Sequence, residues 1–312
     1  MDLICLAMSM RSEILHINAP SSTPSSAVVL GGGGPDCGFG GVASSPGVEE
    51  FLWGVAAHVS RAVNNNEVPS DVVEKAKQKA SKSISCEDCA RRGPIDVSCF
   101  RKCVKIPPPV KYGNNGSAKV SNPNDATPKI VDERFRDVAS NEGDEEVRAL
   151  EWESCMEVGG VGVVCGKPDL VVHEVGGAYH PVEVKYASNG DYALPIARAV
   201  IQLAMYAYQL YEYYRDDNAW LSTYIVVFHR KDPKTNYIHP EVIPLHIRVS
   251  NYVVSFMRRV YERMVRGQRY FTDRYELMKL IYGECVDNAL RNPALYGINR
   301  QVNDALARIA SW

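Results

Sequence analysis

The chain has 312 residues, with Lys+Arg 35 against Asp+Glu 37, and its net charge of −2 excludes attraction to a polyanion through overall charge. Hydrophobic residues at 46% and charged residues at 23% are ordinary for a globular protein with a substantial core. No run of about 18 apolar residues occurs, so no membrane-spanning helix is expected.

Leu3-Ile4-Cys5-Leu6-Ala7-Met8 is short for the apolar core of a signal peptide, and Asp2 stands where a basic residue is expected. The expectation is a cytoplasmic protein with no membrane partner. Nine cysteines in such a chain favour metal ligation or free thiols over a disulfide framework. Residues 1–47 read as a flexible tail, because Ser21-Ser22-Thr23-Pro24-Ser25-Ser26 and Gly31-Gly32-Gly33-Gly34-Pro35 cannot recover the entropy of ordering. No Gly-Lys-Ser/Thr follows the glycines, so they make no phosphate cradle.

Residues 48–106 read as a helical, cysteine-rich module. Phe51, Leu52, Val55, Ala56, Val59 and Val63 recur at helical steps over 48–63, and Ser70 is the N-cap of a second, mostly polar helix to about residue 83. Cys86-x2-Cys89-x9-Cys99-x3-Cys103 has the paired spacing of a four-thiolate site, whose soft ligands suit zinc or an iron–sulfur cluster without choosing between them. Around it Arg91, Arg92, Arg101, Lys102 and Lys105 form a basic patch, which either meets phosphates or is a solvated loop. The Pro/Asn/Gly/Ser-rich stretch over 107–129 reads as a linker.

Residues 130–270 read as one α/β unit. A polar helix is expected over 144–153 and strands over 161–165, 169–175 and 179–187, the last two joined by a tight turn at Gly176-Gly177. A helix over 195–214, strands over 223–229 and 242–249, and a helix over 252–266 complete it, with a helical extension over 271–312. His58, in the apolar first helix, reads as packed, and His173, away from the acids, is given no role.

The chemistry of this unit lies in three segments. Gly166-Lys167-Pro168-Asp169-Leu170-Val171-Val172 brings an acid out of a Gly/Pro turn at the start of a strand, and Glu183-Val184-Lys185 puts an acid and an amine on one face of the next. Hydrolysing a phosphodiester requires an activated water and neutralised phosphate charge, which hard divalent cations supply. Such cations take carboxylates and carbonyls, here Asp169, Glu183 and the carbonyl of Val184, while Lys185 would hold or deprotonate the attacking water. Third, Arg198, Gln202 and Tyr206 lie one helical turn apart on one face of the next helix, where the plain alternative is a solvated Arg198 and a core Tyr206.

Together these segments resemble the PD-(D/E)XK nucleases, specifically the RecB-like branch with a Gln-x-x-x-Tyr motif, which includes CRISPR-associated RecB-like exonucleases carrying an iron–sulfur cluster. The resemblance covers about residues 144–266 and is specific at Asp169, Glu183, Lys185, Gln202 and Tyr206. It implies a PD-(D/E)XK (restriction-endonuclease-like) α/β core: a mixed central sheet flanked by helices, here preceded by the cysteine-rich module. It further implies a Mg²⁺- or Mn²⁺-dependent deoxyribonuclease acting on single-stranded DNA or free ends, with protein partners in DNA processing. The family's extra ligand from an upstream helix is carried over to Glu146, with Glu145 beside it. A [4Fe–4S] cluster is the family's expectation at the cysteines, but there the ligands are split around the core, whereas here all four precede it and only Cys285 follows. On the closing helix Arg259, Arg263 and Arg266 share a face that either guides a nucleic-acid strand or is solvated. The alternatives are a non-catalytic nucleic-acid-binding scaffold of the same fold, or a zinc-dependent interaction protein centred on the cysteines.

Overall fold

Five strands form the central sheet, in the order β1 (Val147–Leu150), β4 (Leu170–Glu174), β5 (Tyr179–Ala187), β6 (Trp220–Arg230) and β7 (Ile238–Arg248). β5 and β6 are parallel, and the other neighbours are antiparallel. The structure is a computed structural model that describes residues 37, 45–81, 126–143, 146–159, 162–174, 177–187, 192–214, 220–230, 237–265, 272–292 and 300–308. All of these fall within the unit Gly33–Trp312.

One face of the sheet is covered by α1 (Pro46–Asn64) and α3 (Thr127–Glu142), with α2 (Ser70–Ser81) packed on α3. α1 starts where Ser45 accepts a hydrogen bond from the Val48 amide and Pro46 occupies the first turn, and it buries Leu52, Val55, Ala56 and Val59. Its end is fastened to edge strand β7. The Asn64 side chain exchanges hydrogen bonds with both main-chain groups of Ile238, at 3.0 and 2.8 Å, so that polar groups at this edge are satisfied. Pro240 and Pro244 fit β7 because an edge strand needs only half of its donors.

The other face is covered by α4 (Ala193–Tyr214), the crossover between the parallel strands, and by α5 (Tyr252–Val265), α6 (Arg274–Tyr282), α7 (Val286–Arg291) and α8 (Arg300–Ala307). A separate hairpin of β2 (Ser154–Val158) and β3 (Gly162–Gly166) leads into the turn before β4. The mixed sheet flanked by helices is therefore present. Among the described residues no helix is long and apolar enough to cross a membrane.

Three expectations are corrected. Residues expected as a helix over 144–153 instead supply the short strand β1, while α3 occupies the end of the expected linker and the start of the core. Pro128 in its first turn is a helix-start signal, and Val131, Phe135, Val138 and Ala139 are its buried stripe. Second, a disulfide joins Cys37 to Cys285, and Cys155 is also disulfide-bonded, against the preference for free thiols or metal ligation at cysteine. Third, His58 is exposed and not packed, with Nδ1 2.6 Å from Glu142.

Candidate active site

The strand alternation expected around Glu183 is observed. Val182 and Val184 enter the apolar layer under α1 and α3, which leaves Glu183 and Lys185 on the α4 side of β5. Glu183 is 1% exposed and Lys185 15%, and the ammonium of Lys185 is hydrogen-bonded to Oε2 of Glu183. A carboxylate this deeply buried is tolerable only with a charged or strongly polar partner, because desolvation costs several kcal/mol.

Asp169 ends the Gly-Lys-Pro turn one residue before β4. Its Oδ2 accepts the Val184 amide at 2.9 Å, a bond from the turn directly to the middle of β5. The first acid is thus fixed against the main chain between Glu183 and Lys185, and the antiparallel pairing of Leu170 with Val182 brings Asp169 level with Glu183. The Gly177 amide donates to Glu174 at 2.8 Å at the expected β4–β5 turn; Gly176 lies outside the described residues.

Helix α4 closes on this turn from the other side. Tyr206 is fully buried, and its hydroxyl donates to the main-chain carbonyl of Lys167 at 3.1 Å. The approach depends on Gly166: a Cβ there would stand 2.6 Å from Met205 Cε and 2.7 Å from the Tyr206 ring. Gln202 is half-buried one turn before Tyr206, and Arg198, a turn earlier still, is exposed.

Helix α3 supplies charged residues that the sequence reading does not include. Arg136 donates from Nη2 to Asp169 Oδ1 at 2.7 Å and from Nε to the Asp169 carbonyl oxygen at 3.1 Å. One turn earlier on the same face, Asp132 pairs with Lys129 at 2.9 Å. Burial pushes the Asp132 carboxyl up, and the nearby negative charge of Asp169 adds to this. Burial works against the Lys129 ammonium, but Asp132 and Asp169 together hold it charged more firmly than usual. The helical spacing of Lys129, Asp132 and Arg136 after Pro128 is the signal in the sequence that could have found them.

Glu146 is not in this group. It immediately precedes β1, whose Val147 pairs with Glu174, so it stands level with the far end of β4, roughly 20 Å along the strand from Asp169. The acid that an upstream helix brings to Asp169 is Asp132. His173 is also at that far end, stacked on Tyr179 with 4.2 Å between ring centroids. Arg259 is 3.1 Å from Glu276, a contact that ties α5 to α6, and 2.9 Å from the Tyr252 hydroxyl on its own helix. Arg263 falls on α5 with its side chain outside the described set, and Arg266, Glu145, Cys86, Cys89, Cys99 and Cys103 lie outside the described residues.

The donors suit a hard divalent cation by chemistry: the carboxylates of Asp132, Asp169 and Glu183 and the carbonyl of Val184 are all oxygen ligands. Among the described residues, however, no three His, Cys, Asp or Glu side chains already stand at metal-holding spacing. Each of these acids is hydrogen-bonded to a cation of the chain itself.

No family model and no curated protein matches the sequence. Among solved structures, the chain is similar to one titled "Crystal structure of SSO0001", at 19% identity and a TM-score of 0.33. The match covers 50% of this chain and 66% of that one, so it spans slightly less than two thirds of the other chain's length.

Proposed function

We propose that the chain is a divalent-metal-dependent phosphodiester hydrolase of the PD-(D/E)XK type, acting on DNA with single-stranded or free ends. The observation that carries this reading is the bond from Asp169 Oδ2 to the Val184 amide, which locks the acid of the Gly-Lys-Pro-Asp turn beside Glu183 and Lys185. A chance acid-x-Lys triplet on an exposed strand would have neither this link nor a buried acid. When bound, Mg²⁺ or Mn²⁺ supplies an acidified water and neutralises phosphate charge. Asp169, Glu183 and the Val184 carbonyl would hold it, with Asp132 as the acid from the upstream helix.

Lys185, hydrogen-bonded to Glu183, would orient a water toward a phosphate entering along the α4 side of β5. Tyr206 and Gly166 keep the Asp169 turn seated against α4. Exposed Arg198, on the same helix face as half-buried Gln202 and buried Tyr206 but two turns earlier, is where a strand's phosphates would be met. The cysteine set Cys86, Cys89, Cys99 and Cys103 is proposed as a zinc or iron–sulfur site, and metal analysis with a visible absorption spectrum distinguishes the two.

The test is cleavage of labelled single-stranded DNA, duplex DNA and RNA with Mn²⁺ or with chelator. Metal-stimulated cleavage of single-stranded DNA or of duplex ends supports the reading. Tight DNA binding without any metal-stimulated turnover would instead favour a non-catalytic scaffold.

A further inference from the structure

Helix α3 brings two cations to the acids, and both are engaged there. Arg136 grips Asp169 at two points, the carboxylate Oδ1 at 2.7 Å and the main-chain carbonyl at 3.1 Å. Lys129 holds Asp132 at 2.9 Å. The other Asp169 oxygen already accepts the Val184 amide, so the oxygen facing α3 is the one the guanidinium covers. The pair is largely shielded from water, with Asp169 12% and Arg136 31% exposed, so its attraction is stronger than that of a surface pair.

We propose that Arg136 is an internal counter-cation of the metal site: a divalent ion gains Asp169 Oδ1 only by exchanging with the guanidinium, so α3 sets the metal affinity. This rests on the nuclease reading above. Two like charges cannot share one carboxylate oxygen without strong repulsion, and a guanidinium fixed by two hydrogen bonds is a more persistent competitor than a mobile surface lysine. Asp132, Asp169 and Glu183 are each paired with a cation of the chain itself. Arg136 acts through Asp169 and is a positioning residue, with no contact of its own to the reacting atoms.

The experiment is Mn²⁺ titration followed by electron paramagnetic resonance, on the full chain as wild type, Arg136→Gln, Arg136→Lys and Asp169→Asn. Glutamine keeps a hydrogen-bond donor on a shorter side chain and removes the charge. Its expected effect is Mn²⁺ binding tighter by at least about tenfold, the low end of what one adjacent opposite charge does to a carboxylate's proton affinity. Lysine keeps the charge but loses the two-point grip, so its affinity falls between wild type and Arg136→Gln, and this variant carries the test if glutamine impairs folding. Asp169→Asn identifies the site by weakening binding. If wild type binds Mn²⁺ through Asp169 and neither Arg136 variant binds it more tightly, the counter-cation role is overturned and the metal site stands. If no protein in the set binds Mn²⁺, both the role and the nuclease reading fall.

Discussion

Tyr206 donates its phenolic hydrogen to the main-chain carbonyl of Lys167 at 3.1 Å, so the helix after the acid-x-Lys strand is bonded to the turn that carries Asp169. The tyrosine of the Gln-x-x-x-Tyr pattern thereby holds the turn in place from inside the core. Tyr206→Phe keeps the ring and removes the bond, leaving a carbonyl short of a donor. The expected cost is about 1 kcal/mol of stability, read from urea unfolding, together with reduced cleavage. Unchanged stability and activity would deny the tyrosine this positioning role.

Gly166 makes that contact sterically feasible. In Gly166→Ala the new methyl meets Met205 Cε at 2.6 Å and the Tyr206 ring at 2.7 Å, and only the methionine end can move cheaply. The variant should lose about 1–3 kcal/mol by overpacking. Adding Met205→Ala should recover only part of this, because the ring contact remains. Full recovery in the double variant would show that Tyr206 does not approach closely.

Acid sensitivity follows from a row of polar groups across three strands, on the sheet face that also carries Val182, Tyr224 and Val242. His180 Nδ1 donates to the Ser222 carbonyl at 3.1 Å, and the Ser222 hydroxyl is 3.0 Å from His246 Nδ1. Burial pushes both imidazoles down, and His180 further lowers His246. The unfolded chain therefore takes up protons first as pH falls through about 6.5, and the neutral folded form loses stability down to the folded values. The loss should appear as a urea midpoint that falls as pH drops below about 6.5, with a slope of at most about 1.4 kcal/mol per pH unit for each histidine. His180→Asn retains a donor for Ser222 and should flatten the curve. An equally steep curve in the variant would assign the acid sensitivity to other groups.

The Cys37–Cys285 bond closes a sequence separation of 248 residues. Loss of such a cross-link frees a large unfolded-state entropy, so the double variant Cys37→Ser/Cys285→Ser should be destabilised by about 3 kcal/mol. A non-reducing peptide map checks the pairing directly. Equal melting of wild type with and without reductant would contradict the contribution.

Much of this arrangement is readable from the sequence, and the parts that are not share a cause. The β4–β5 hairpin, the alternation around Glu183 and Lys185 and the long helix α4 each rest on strong local signals: a Gly-Gly turn, period-two patterning and a long periodic run. β1 escapes a reading of the sequence because four residues on a sheet edge carry little periodicity, and the acidic residues before them resemble a helix start. α3 is hidden by Pro128, which ends a proline-rich stretch but here sits where helices begin. Without α3 in place, Asp132 and Arg136 have no visible connection to Asp169, and Glu146 stands in their stead. The link from Cys37 to Cys285 depends on tertiary placement, which spacing along the chain does not encode.

The central claim is that Glu183 and Lys185 carry phosphodiester hydrolysis. The most direct measurement is single-turnover cleavage of end-labelled single-stranded DNA with Mn²⁺, comparing wild type with Glu183→Ala and Lys185→Ala, each verified as folded. The account predicts metal-dependent cleavage by wild type and a loss of at least about 100-fold in each variant, the low end of what a positioned proton-transfer group contributes. Cleavage at the wild-type rate in both variants would contradict it.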